Sequence, residues 1–118
     1  MGKLTTHILD TAHGMPGKAI KIELYKLSHQ NQPQLIKTVT SNHDGRTDAP
    51  LLEGNEFQKG KYQLVFHTAA YFKDQGVALD DVAFLDDIVI RFGINDEGEH
   101  YHVPLLCSPY SFSTYRGS

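Results

Sequence analysis

Apolar and polar residues alternate with a period of two along most of this chain. Between Ala19 and Tyr25, Ile20, Ile22 and Leu24 alternate with Lys21, Glu23 and Tyr25. Successive side chains of a strand point to opposite faces, so the pattern predicts a strand with one buried and one wet face. The same reading applies to Tyr62–His67, where Tyr62, Leu64 and Phe66 form the apolar row, and to Ile88–Ile94, His100–Leu105 and Tyr110–Tyr115. Weaker strands are predicted at Leu4–Leu9 and Leu35–Thr40, and a short one at Thr47–Ala49. Turn-forming stretches separate them, among them Gly14-Met15-Pro16-Gly17 and His43-Asp44-Gly45-Arg46.

Only Thr68–Gln75 reads as a helix, with Thr68 as its N-cap and Gly76 as its stop. It is too short to form a layer of its own. A set of about eight short strands, each with one apolar face, buries those faces best by stacking two sheets. The expectation is one all-β sandwich domain spanning residues 1–118.

A chain of 118 residues is long enough for one core without a disulfide or a structural metal. Its single cysteine, Cys107, sits in the apolar run Val103–Cys107 and reads as a small buried thiol. A net charge of -3, with eleven basic residues that form no block, disfavours nucleic acid as a partner. No apolar run approaches the roughly 20 residues of a membrane span, and Met1–His7 contains no hydrophobic signal region. The expected location is therefore the cytoplasm. Asp80, Asp81, Asp86 and Asp87 lack calcium-loop spacing and read as a solvated loop.

Seven histidines in so short a chain direct attention to sites. His100 and His102 are two apart on a predicted strand, so both imidazoles leave the face opposite Tyr101 and Val103. The ordinary reading of such a pair is two surface histidines, and the chemical reading is acid–base work or metal binding. His7 alternates with Thr6 and Ile8, which also places it outward. Arg46 leaves a tight turn that can aim its guanidinium at a developing anionic oxygen. At the end of the sequence, strand alternation runs up to Tyr115, followed by Arg116, Gly117 and Ser118.

Three separated stretches together resemble one family. Thr6-His7-Ile8-Leu9-Asp10 with Gly14-Met15-Pro16-Gly17 is similar to the opening signature of transthyretin-like proteins. His100-Tyr101-His102-Val103-Pro104-Leu105-Leu106, through Ser108-Pro109-Tyr110-Ser111, is similar to the closing one. Tyr115-Arg116-Gly117-Ser118 resembles the tetrapeptide that marks the 5-hydroxyisourate hydrolases within that family. The resemblance implies a transthyretin-like (prealbumin-like) β-sandwich of two four-stranded sheets with one short helix. It also implies a homotetramer, a dimer of dimers, with active sites in the clefts between dimers and no metal or other cofactor.

By the same resemblance His7, Arg46, His102 and Ser118 are the catalytic set, with His7, Arg46, Tyr115, Arg116 and Gly117 binding substrate. His102 is then the expected base on water, and His7 could exchange roles with it. Two other functions remain open. One is a hormone-type small-molecule carrier of the transthyretin kind, although carriers lack these histidines and the tetrapeptide. The other is a zinc hydrolase using His7, His100 and His102.

Overall fold

The computed structural model describes all residues, 1–118, and its chain folds into two four-stranded sheets. The strands are β1 (Leu4–Asp10), β2 (Met15–Pro16), β3 (Lys21–Leu27), β4 (Pro33–Thr40), β5 (Gly60–Phe66), β6 (Ile88–Ile94), β7 (Tyr101–Cys107) and β8 (Phe112–Thr114). One sheet has the order β2-β1-β7-β8 and the other β4-β3-β5-β6. A single helix, α1 (Thr68–Asp74), follows β5. The fold is thus the expected sandwich.

Alternation explains the core. Leu4 and Ile8 of β1, Ile22 and Leu24 of β3, and Val103 and Leu105 of β7 all face inward and are buried. Each such side chain contributes about 1.5–3 kcal/mol of hydrophobic stabilisation. Tyr62, Phe66 and Phe72 fill the larger gaps of the same cluster.

Four expectations from the sequence are corrected. No strand forms at Thr47–Ala49, and the eighth strand is the two-residue Met15–Pro16 pairing with Leu9 and Asp10. The strand expected from Ala19 begins only at Lys21, because Ala19 adopts a left-handed backbone (φ 58). The outer row of β5 is not wet. Gln63 and Val65 are each only 9% exposed, since β5 lies between β3 and β6 and the Arg91 Nε–H donates to Gln63 Oε1 at 2.8 Å. Finally, Thr68 does not cap α1. His67 is the N-cap residue, without a side-chain bond to the helix backbone, while the Thr68 hydroxyl donates to the Asp86 carbonyl.

The pairing of β1 with β7 is parallel and sets Thr5 opposite His102 and His7 opposite Pro104. The other edge of β1 is occupied by short pieces of chain. The Ile8 N–H donates to the Gly45 carbonyl at 2.7 Å, and the Leu4 N–H donates to the Leu52 carbonyl at 2.9 Å.

Candidate active site

The outer face of β1 and β7 carries the candidate chemistry. Thr5 and His7 of β1 alternate with the buried Leu4, Thr6 and Ile8, and His102 alternates with the buried Tyr101 and Val103. The parallel register brings the two histidines onto one face, two residue pairs out of step. Thr6, which faces the core, fixes that register: its hydroxyl donates to the Val103 carbonyl at 2.7 Å.

Each imidazole has one partner. The His7 Nε2–H donates to the Asp44 carbonyl at 3.0 Å, and His102 Nδ1 shares a hydrogen with the Thr5 hydroxyl at 2.8 Å. Arg46 is exposed at the end of the turn that supplies the Asp44 carbonyl. Asn42 builds that turn, its Oδ1 accepting from the N–H groups of Asp44 (2.9 Å) and Arg46 (3.1 Å). Gly45 has φ 77, and a side chain on it would run into the Ile8 carbonyl, so only glycine lets the turn dock here. Beside Arg46 lies a cleft of about 190 Å³ lined by Thr5, Thr6 and Thr47–Pro50.

Burial, followed by the charges of Arg46 and His7, lowers the His102 pKa below the ordinary imidazole value. Three groups from three separate stretches of sequence therefore share one electrostatic neighbourhood. A neutral imidazole with a free nitrogen, in the field of a guanidinium, can take a proton from water while a cation stabilises the resulting oxyanion.

The tail reaches this face by a route that Pro104 dictates. Leu105 pairs with Thr114, and the same register resumes where His102 pairs with Gly117. Between them the ladder is interrupted, because Pro104 has no N–H to offer. The Pro104 carbonyl accepts instead from the Thr114 hydroxyl at 2.7 Å. The Gly117 N–H then donates to the His102 carbonyl at 2.7 Å, and the His102 N–H donates to the Gly117 carbonyl at 3.2 Å. A Cβ on Gly117 would lie 3.1 Å from both Cβ and Cδ2 of His102, so the tail backbone packs directly on the imidazole.

Alternation sends the neighbouring side chain elsewhere. Arg116 falls opposite the core-facing Val103, and its guanidinium stacks on Tyr101, 4.2 Å from the ring centroid, while donating to the His100 carbonyl at 3.1 Å. Within the chain, then, the Arg116 side chain is not brought beside His102. Tyr115 and Ser118 are exposed, and His100 is exposed and precedes β7 rather than lying on it. His7, His100 and His102 do not form a three-ligand cluster, nor does any other group of His, Cys, Asp and Glu side chains. Burial pushes the Cys107 thiol up to about 12, which leaves it protonated and unreactive.

Thr5 and the Asp44 carbonyl are site groups that sequence reasoning missed. The signal for Thr5 was available, since it shares the parity of His7 on β1. The Asp44 contact depends on how a turn docks, which alternation does not report. A larger hollow than the cleft beside Arg46, about 610 Å³, lies between α1 and the segment 77–86, away from these groups.

The profile of the HIUase/Transthyretin family matches residues 4–117. The chain belongs to this family. It is 59% identical over its whole length to a 5-hydroxyisourate hydrolase of Pseudomonas aeruginosa, covering 93% of that protein. Among solved structures it resembles an (S)-allantoin synthase with a TM-score of 0.93 and 45% identity. The match covers 99% of this chain but spans only 44% of that one. It also resembles sea bream transthyretin in complex with thyroxine, with a TM-score of 0.85 and 26% identity over 98% of this chain and 94% of the other. No helix of the chain is long and apolar enough to cross a membrane.

Proposed function

We propose that the protein hydrolyses 5-hydroxyisourate to 2-oxo-4-hydroxy-4-carboxy-5-ureidoimidazoline, a step of urate degradation. The observation that carries this reading is the convergence of His102, with its depressed pKa, Arg46 and His7 on one open face beside the backbone of Gly117. A relative with 59% identity named for this reaction supports the choice of substrate.

In the proposed mechanism His102 takes a proton from water as the water oxygen attacks a ring amide carbonyl of the substrate. The bond electrons move to the carbonyl oxygen, and Arg46 stabilises the oxyanion. Collapse of the tetrahedral adduct breaks the carbon–nitrogen bond. The departing ring nitrogen takes the proton from His102, directly or relayed through the free Nδ1 of His7, so one water is consumed and the catalyst is restored. Tyr115, Gly117 and Ser118 supply the tail side of the substrate site, where Gly117 pairs with His102, and the Ser118 hydroxyl or carboxylate orients water. Arg116 anchors the tail through Tyr101 and His100. None of these steps requires a cofactor.

The site face is open in a single chain, and we infer that a homotetramer, a dimer of dimers, closes it. The outer edges of β6 and β8 are unpaired within the chain, and Phe112 and Tyr110 are exposed beside them. Light scattering in solution would return the mass of four chains. A monomer at working concentration would remove this part of the proposal.

The test of activity is the decay of the ultraviolet absorbance of 5-hydroxyisourate, generated in situ by urate oxidase. Accelerated decay with the wild-type chain, absent with His102→Ala and Arg46→Ala, is the expected result. The likeness to a thyroxine-bound transthyretin keeps a binding function in view. Saturable thyroxine binding without turnover would favour it.

A further inference from the structure

His7 and His102 are held through opposite ring nitrogens, and the two holders differ in kind. A backbone carbonyl can only accept, so the 3.0 Å contact of His7 Nε2 with Asp44 puts the proton on Nε2 and leaves Nδ1 free. A hydroxyl can either donate or accept, so the 2.8 Å contact of His102 Nδ1 with Thr5 Oγ1 permits two tautomers. If Thr5 donates, Nε2 carries the proton and has no lone pair to offer. If Thr5 accepts, Nδ1 carries the proton and Nε2 is basic.

We infer that Thr5 is a positioning residue whose hydroxyl accepts from Nδ1–H of His102 and so presents Nε2 as the basic nitrogen. This rests on the hydrolase reading given above. Two arguments favour it. The first is geometric. The parallel register sets Thr5 directly opposite His102, and Gly117 packs against the Cγ and Cδ2 side of the ring. The imidazole is therefore gripped on its two opposite edges, and Nε2 at its tip is the one nitrogen left open.

The second argument concerns what happens during proton transfer. An imidazolium carries a proton on both nitrogens. An accepting Thr5 keeps its bond unchanged when Nε2 gains a proton, so no group has to reorient. A donating Thr5 would face a second donor at that moment and would have to rotate. Dipoles already aligned for the charged state lower a barrier without reorganisation, and the nitrogen that carries the proton is set by the partner of the other.

The test combines ring nitrogen NMR with kinetics. In the ¹⁵N-labelled wild type above pH 8, His102 is expected to show Nδ1 as the protonated nitrogen. Thr5→Val keeps the shape of the side chain but removes the hydroxyl. It is expected to move the proton to Nε2 and to lower kcat by about tenfold or more while KM stays within about twofold. Thr5→Ser restores the hydroxyl and is expected to recover the tautomer and most of kcat.

An Nε2–H tautomer in the wild type would overturn the inference. So would a Thr5→Val variant with unchanged kcat and tautomer, or a Thr5→Ser variant as impaired as Thr5→Val. Should Thr5→Val fail to fold, the wild-type ring spectrum and Thr5→Ser still decide. A wild-type chain that does not turn over 5-hydroxyisourate would sink the hydrolase reading alone, because the ring spectrum needs no substrate.

Discussion

At the end of β1 and β7 away from His102, the same strand pair carries a second polar cluster. Asp10 has no exposed side-chain surface. Its Oδ1 accepts from the N–H groups of Ala12 and His13, and its Oδ2 accepts from Tyr71 and from the His13 ring at 2.7 Å each. Burial pushes the Asp10 carboxyl upward, but the bonds from His13 and Tyr71 outweigh this and hold it below the usual range. Both clusters contain a histidine, and both sit on β1. They differ in spare capacity. Every acceptor position of Asp10 is used, whereas His7 and His102 each keep a nitrogen with no partner in the chain. A satisfied buried network stabilises a fold, and unspent hydrogen-bonding capacity beside an open cleft is what a reacting molecule can use.

The sharpest way to test this contrast is a pair of truncations. Asp10→Ala leaves the buried Tyr71 hydroxyl and three part-buried donors without an acceptor and is expected to lower stability by about 3–5 kcal/mol. Denaturant unfolding would measure that, with activity per folded molecule largely kept. His102→Ala is expected to do the reverse, reducing kcat/KM by about 10²–10⁴-fold while moving the unfolding midpoint little. If the two variants lost both properties in the same proportion, the division between structure and chemistry would fail.

Gly117→Val ranks next. Its side chain would displace the tail from the imidazole, since even the first added carbon lies 3.1 Å from the His102 ring. The expected cost is about tenfold in kcat/KM with a small change in stability. The kinetic constants and a melting curve would show both.

The two clusters should also respond to acid in different windows. The folded pKa of His102 is depressed, so neutral His102 persists below the ordinary imidazole range. The acid limb of kcat/KM should then have its midpoint below about 6.5. Replacing His7 with Asn removes a charge that favours the neutral form and should move that limb upward. In stability, His102 costs nothing above about pH 6.5, and its penalty grows as pH falls from there to the folded value. Asp10, also depressed, contributes stability that is fully present above its unfolded value near pH 4 and is lost as pH falls through its folded value. Unfolding followed from pH 8 to 2 should show two separate losses, with the Asp10→Asn variant lacking the lower one.

The smallest expected effect belongs to Arg116→Ala. Its half-exposed stack on Tyr101 is worth about 0.5–1 kcal/mol. A decrease of that size in stability, with kcat/KM falling less than for Gly117→Val, would fit an anchoring role for Arg116.

Much of this was legible in the pattern of residues, for a definite reason. Wherever a strand has one buried and one open face, burial enforces the period of two, and this is why β1, β3, β6 and β7 and the outward placing of His7 and His102 could be read directly. The parity of Arg116, opposite a core-facing position, was written there too. It was obscured because the tetrapeptide reads as one unit, although alternate residues must face alternate sides. Other features lay beyond the pattern. Met15–Pro16 is too short to show a period, and the left-handed Ala19 has no sequence signature. The closeness of Arg46 to His102 depends on a turn docking across a strand edge, a long-range fact that no local period encodes.

That docking also bears on solubility. An open edge of β1 would be a template for another strand, and such edges are where sheet proteins aggregate. Gly45, the Leu51–Leu52 pair and β2 together occupy it. The turn that holds Arg46 beside the imidazole is thus also a cover for the strand beneath it. A substitution at Gly45 would do more than misplace a guanidinium, because it would expose a β edge to self-association, and the first visible sign could be turbidity rather than slow turnover.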